Sequence, residues 1–167
     1  MTPVDEQTRP TNNNKKIIIV VLTVLAALVV TAGILFIAVV VPAWKTVAKA
    51  GNEASAAQSI QTIRVLQAQY NSKHQGRFAP NFDELIKVMG LDEKFAGTSP
   101  VVNGYIFTMK VEATSSTKPA FYSINTDPQA GEGTQSSGLR HFYIDSTLST
   151  TKITEENSSA KADDPSL

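Results

Sequence analysis

The first residues to weigh for chemistry are two histidines and a scatter of carboxylates in a chain of 167 residues without cysteine. His141 follows Arg140 and precedes Phe142-Tyr143. A carboxylate from Asp127 or Asp145 beside it would make a pair suited to general-base work, but separation along the chain does not bring them together. His74 falls at a predicted helix C-terminus, where a partly charged imidazole complements the dipole, and no second ligand stands at metal-binding spacing. Asp83-Glu84 and Asp92-Glu93 are adjacent acids; neighbours on a helix do not face each other, so they read as solvated helix ends rather than a catalytic dyad. Asp127 and Glu132 are too few oxygen donors for calcium. The absence of cysteine removes disulfides, thiolate nucleophiles and thiolate metal sites. Neither phosphate-cradling glycine motif is present. These residues assign no catalytic, cofactor-binding or metal position, and the expectation is a protein that is not an enzyme and carries no cofactor.

Charge narrows the partners. The chain is formally neutral, and from Ala43 to Leu167 there are 12 Lys and Arg against 13 Asp and Glu. No positive field exists to gather phosphates, so nucleic acid is not an expected partner. Tyr105, Phe107, Phe121, Tyr122, Phe142 and Tyr143 lack basic neighbours and read as core and cross-strand pairs rather than a base-stacking platform.

The elements that must position these residues begin with an anchor. After a polar segment, residues 1–16, the run from Ile17 to Val41 has 25 residues and no charge, interrupted only by Thr23, Thr31 and Gly33. At 1.5 Å per residue a helix of that length exceeds the roughly 30 Å hydrocarbon core of a bilayer. Ile17, Leu22, Leu25, Leu28, Gly33, Leu35, Phe36 and Val41 mark this anchor. It is too long for a cleaved secretory signal. Arg9, Lys15 and Lys16 before it, against Lys45 and Lys49 after it, mildly favour an N-terminus inside. Pro42 is the expected kink and Trp44 the expected interfacial aromatic, with membrane lipid and other membrane helices as partners.

Residues 42–76 read as a continuing amphipathic helix. Ala56, Ile60, Ile63, Gln67 and Tyr70 recur every three or four positions, with Leu66 flanking them and Gln58, Gln61, Gln69 and Lys73 opposite. Gly76 stands where a C-cap belongs. The head, residues 77–154, opens with Asn81 as an N-cap and Glu84 at the capping-box position, leading a short helix through Met89 that Gly90 ends. From Gly104 the period changes to two, with Tyr105, Phe107, Met109 and Val111 on one face. A turn at Ser115 to Pro119 leads to strands over Ala120–Asn125 and Leu139–Asp145 and a short fourth over Thr150–Thr154. The expectation is an α+β fold: one long helix packed on a small antiparallel sheet of three or four strands. Asp127 to Gly138, with three Gly and one Pro, reads as a free surface loop in which Asp127, Pro128 and Glu132 could meet a partner. Residues 155–167 are polar and acidic and are expected to be disordered.

Val39-Val40-Val41-Pro42, the run Asn52-Glu53-Ala54-Ser55-Ala56-Ala57-Gln58-Ser59-Ile60-Gln61-Thr62-Ile63, and Tyr70 together resemble the N-terminal helix of type IV pilins and of the pseudopilins of type II secretion. Gly76 to Phe82, Gly104 to Phe107, Tyr122 to Pro128 and Arg140 to Asp145 resemble the heads of small pilin-like proteins in the same order. The resemblance covers about Ile34 to Asp145. It implies a bacterial inner-membrane protein, N-terminus cytoplasmic and head periplasmic or extracellular, with a structural or assembly role. It departs from the family where processing occurs. Counted back from Pro42, the slot for the cleaved Gly holds Val20 and the slot for the Glu beyond it holds Leu25. The expectation is therefore a pilin-like protein that keeps its N-terminal segment and stays anchored. The alternative is an accessory scaffold subunit of a larger energy-converting or transport complex; a tethered binding module for a small ligand comes third.

Overall fold

The computed structural model describes residues 12–129 and 137–167. The chain divides into two compact units, Met1–Lys45 and Thr46–Leu167. Helix α1, Asn12–Lys73, contributes to both and passes position 42 without interruption. Proline has no N–H to give to the carbonyl four residues back, a loss that an apolar helix can absorb locally.

In the first unit α1 has every described large apolar side chain from Ile17 to Val41 exposed. Its two hydroxyls are turned inward on the helix itself: Thr23 Oγ1 donates to Ile19 O at 2.9 Å and Thr31 Oγ1 to Ala27 O at 2.7 Å. Neither hydroxyl leaves a donor unpaired on the apolar surface.

The second unit is a two-layer α+β head. Ala56, Ile60, Ile63, Gln67 and Tyr70 of α1 are all buried. They face a sheet of five antiparallel strands in the order β1-β2-β3-β4-β5: Val101–Val102, Tyr105–Glu112, Phe121–Pro128, His141–Asp145 and Lys152–Thr154. The register places Phe107 opposite Thr126, Met109 opposite Ile124 and Val111 opposite Tyr122, then Ile124 opposite Ile144 and Thr126 opposite Phe142. One sheet face is thereby apolar across three strands and joins α1 in a single core with Phe82, Leu85 and Phe95. Helix α2, Phe82–Met89, starts on Asn81, whose side chain accepts from Glu84 N, and ends at Gly90. The side chain of Glu84 accepts from Tyr70 OH at 3.4 Å.

The strand count exceeds the three or four expected. The extra strand, β1, is two residues long, too short for alternation to reveal. It is joined to β2 by Asn103-Gly104 at φ 50° and 76°, with Val102 opposite Tyr105. That is the two-residue hairpin in which both central residues take positive φ, which is why Asn and Gly occupy it. The helix end also differs: α1 stops at Lys73, and Gln75 (φ 58°) takes the left-handed position ahead of Gly76, whose N–H bonds Asn71 O at 3.0 Å. The six-to-one bond is that of a Schellman cap. Gln61, expected on the solvent face, instead donates to Thr151 Oγ1 at 2.6 Å.

The segment 155–167, expected to be disordered, is folded onto the sheet. Ala160 is buried, and its carbonyl accepts from Asn125 Nδ2 at 2.8 Å. Beyond it, Ile153 N donates to Pro165 O at 2.8 Å and Leu167 N to Thr151 O at 2.9 Å, so Ser166 pairs antiparallel with Lys152 on the outer edge of β5. Composition alone missed this because the segment is held by backbone pairing, not by apolar side chains.

Three phenols give the head an alkaline pH response. Burial raises Tyr105 and pushes Tyr122 up to about 12. For Tyr143, burial followed by its hydrogen bond to Asp145 pushes the phenol up to about 12. Folded-state values above the ordinary 10 mean that the folded chain holds these protons longer than the unfolded chain. The stabilisation is full below pH 10 and is lost as pH rises toward 12. The thermal midpoint of the detergent-solubilised chain is expected to fall across that window, with phenolate absorbance appearing together with unfolding. Phenolate absorbance that developed fully around pH 10 in the folded chain would contradict this.

Candidate functional site

Two sets of residues could carry a function: the apolar half of α1 and the polar clusters of the head. In the first, Ile17, Leu22, Leu28 and Leu35 are about 60% exposed, Leu25 53%, Phe36 62% and Val41 42%. Gly33 has open space around it. This is the one helix among the described residues long and apolar enough to cross a membrane, and none of its most apolar window is buried. An uncovered apolar surface of this length is unfavourable in water. Trp44 is 71% exposed.

Within the head, the structure brings together His141 and Asp127, which chain separation alone could not place. Their strands β4 and β3 run side by side, and Nδ1 lies 2.6 Å from Asp127 Oδ1. Ser159 Oγ donates to Asp127 Oδ2 at 2.9 Å. The order is serine, carboxylate, imidazole. A nucleophile relay needs the imidazole between hydroxyl and carboxylate, so this arrangement cannot take a proton from Ser159 to His141. What it does is tie β3, β4 and the 155–167 segment together. Asp145 lies apart from the pair: it accepts from Tyr143 OH at 2.9 Å and from Thr147 N and Oγ1 at 2.8 and 2.7 Å, closing the turn after β4.

The other candidates are likewise occupied structurally. The ring of His74 stacks on Tyr70 with centroids 3.9 Å apart and planes at 11°. Asp83 accepts from Gly97 N at 2.9 Å. Asp92 accepts from Lys94 N, and that bond, followed by the Lys94 side chain, holds its carboxyl below the ordinary value. Among the described residues no group of three His, Asp or Glu is placed to hold a metal. Of the expected partner loop, Asp127 and Pro128 belong to β3, a correction to their assignment as loop; Glu132 lies outside the described residues.

A second polar cluster joins residues too far apart along the chain for the sequence to show them as one. Asn52, Glu53 and Ser55, consecutive on α1 but for Ala54, grip the segments around β1, β2 and β4. Asn52 Nδ2 donates to Ser137 O at 2.9 Å, Leu139 N to Glu53 Oε1 at 2.8 Å, and Asn103 Nδ2 to Ser55 Oγ at 2.6 Å. Arg140 Nε lies 3.1 Å from Glu155 and 3.9 Å from Glu53, at the exposed end of the same cluster. Ser137 Oγ donates to Gly104 O, and Tyr105 OH to Arg140 O at 3.0 Å. The chain passes so close here that a Cβ on Gly138 would overlap the Tyr105 hydroxyl and lie 2.8 Å from Tyr105 Cζ. Tyr105 is fully buried against Phe142 and cannot retreat. Gly138→Ala is therefore expected to destabilise the head by about 1–3 kcal/mol. Part of that loss should return in a Tyr105→Phe background, where the overlapping oxygen is gone. Denaturant unfolding of the four variants of this cycle measures the coupling; strictly additive effects would rule out the contact.

No family model, curated protein or solved structure is significantly similar to the chain.

Proposed function

We propose that this chain is a single-pass membrane-anchored, pilin-like protein with a structural or assembly role, its N-terminus cytoplasmic and its head outside the cytoplasm of a bacterial cell. The observation that carries the reading is the exposure of every described large apolar side chain from Ile17 to Val41, together with a head whose polar clusters are engaged in holding its own segments together. An apolar helix of this length joined to such a head suits anchoring and docking, not turnover of a substrate. The reading also takes Val20 and Leu25, at the processing slots of the resembled family, to mean that the N-terminal segment is retained. Intact-mass measurement on the membrane-extracted protein tests it. The expected mass retains residues 1–20 without N-methylation; loss of about 20 residues, or an added methyl group, would refute retention.

Val20 and Leu25 also favour a second reading. With apolar residues at both slots the helix lacks the charge that an ordinary filament subunit would use, which suits an accessory scaffold subunit of a larger membrane complex. Gentle detergent extraction followed by mass spectrometry separates the two: pilus or secretion components accompany the first, a stoichiometric place in an unrelated assembly the second.

A further inference from the structure

The segment after β5 is a strand-like strap with a small hold. Among its residues only Ala160 is buried. Its seat consists of two backbone hydrogen bonds made with Thr151 and Ile153, the Asn125 and Asp127 side-chain contacts, and Ser166 Oγ, which accepts from Lys152 Nζ at 3.2 Å and from Thr150 Oγ1 at 3.1 Å. The connection from Glu155 to Ser158 is exposed throughout. A segment with so little buried apolar surface opens at lower free energy than the core. Opening exposes the outer edge of β5, an unpaired row of N–H and C=O groups that pairs readily with another extended chain.

We propose that this edge is an interaction surface for a second copy of the chain, occupied by the partner's own residues 159–167 in exchange for the first copy's. The seat itself identifies the occupant. Ser159 on Asp127, Ala160 on Asn125, Pro165 on Ile153, Leu167 on Thr151, and Ser166 on Lys152 form a register that this sequence satisfies in full, and an exchanged segment remakes every one of those contacts. Such exchange of an identical element is a low-cost route to a dimer. Four connecting residues reach about 14 Å when extended, so exchange requires the two heads to lie edge to edge at β5. The inference concerns the head alone and does not depend on the pilin-like reading.

The absence of native cysteine makes the test direct. Lys152 and Ser166 are partners flanked by the two backbone bonds, the non-hydrogen-bonded pair of an antiparallel ladder, whose Cα atoms stand about 4.5 Å apart, within the span of a disulfide. Full-length Lys152→Cys and Ser166→Cys chains are mixed in detergent and oxidised. Exchange yields a covalent dimer containing one of each, about tenfold more abundant than when Ser166→Cys is mixed with Lys110→Cys, an exposed residue of β2. The double variant Lys152→Cys/Ser166→Cys reports whether the strap is seated at all. Internal closure of the double variant without any mixed dimer would overturn exchange. So would equal dimer yield with Lys110→Cys, which signals random collision, or failure of both cross-links, which signals an unseated strap.

Discussion

Replacing Gln67 by Ala is expected to lower the stability of the head by about 3–5 kcal/mol. Gln67 is fully buried, and its amide binds the backbone of Ala79 at both ends: Nε2 donates to Ala79 O at 3.0 Å, and Ala79 N donates to Oε1 at 2.9 Å. The amide thus substitutes for a strand partner at a residue that has none. Ala79 is itself fully buried, so truncation leaves an orphaned N–H, an orphaned C=O and a cavity. Gln67→Met keeps the volume and loses only the hydrogen bonds, so it separates the two contributions and is expected to recover roughly a third of the loss. Gln67→Glu should do worse near neutral pH, because a carboxylate would face Ala79 O with no proton to give. Denaturant unfolding of the detergent-solubilised variants is the measurement; a loss below 1 kcal/mol for Gln67→Ala would mean that water replaces the amide and that the contact is not what fixes residues 77–80.

Gln67 also shows how far the sequence could be read. Its place on the stripe with Ile60 and Ile63 follows from helical periodicity alone, because a position three or four residues from apolar neighbours shares their face. Its job does not, because periodicity records the direction of a side chain and not the backbone it meets. The same division recurs through the head. The N-cap at Asn81 and the period-two run from Tyr105 rest on local rules and could be seen. The pairing of His141 with Asp127 depends on β3 and β4 lying side by side in one register, which no local signal states. The strap over β5 is held by backbone groups that every residue possesses, so nothing in its composition sets it apart from a disordered tail. Asn103-Gly104 is the opposite case: the hairpin dipeptide is a local signal, but the strand before it is only two residues long, too short for alternation to mark it as a strand. The run Asn52-Glu53-Ala54-Ser55 carried part of the family resemblance; in the structure it is the set of side chains that fastens the helix to the entries of β2 and β4.

Charging the apolar run is expected to release the chain from membranes in a graded way, and the arithmetic sets how many charges that takes. The run from Ile17 to Val41 holds eighteen Ile, Val, Leu and Phe residues. At roughly 0.3–0.6 kcal/mol each they favour insertion by about 5–11 kcal/mol, while one Arg near the centre opposes it by about 2.5–3.5 kcal/mol. Val29→Arg alone should therefore remain in the membrane fraction after alkaline carbonate washing. Leu28→Arg/Val29→Arg/Val30→Arg together, all at the centre, oppose insertion by about 8–10 kcal/mol and should shift most of the protein to the soluble fraction. The head is expected to keep its fold in that variant, since none of these side chains is buried in it. This makes the alkaline unfolding window of Tyr122 and Tyr143 a check that release is not misfolding. A parent chain found soluble without detergent, or a triple variant as firmly held as the parent, would remove the bilayer from the account of why this surface is apolar.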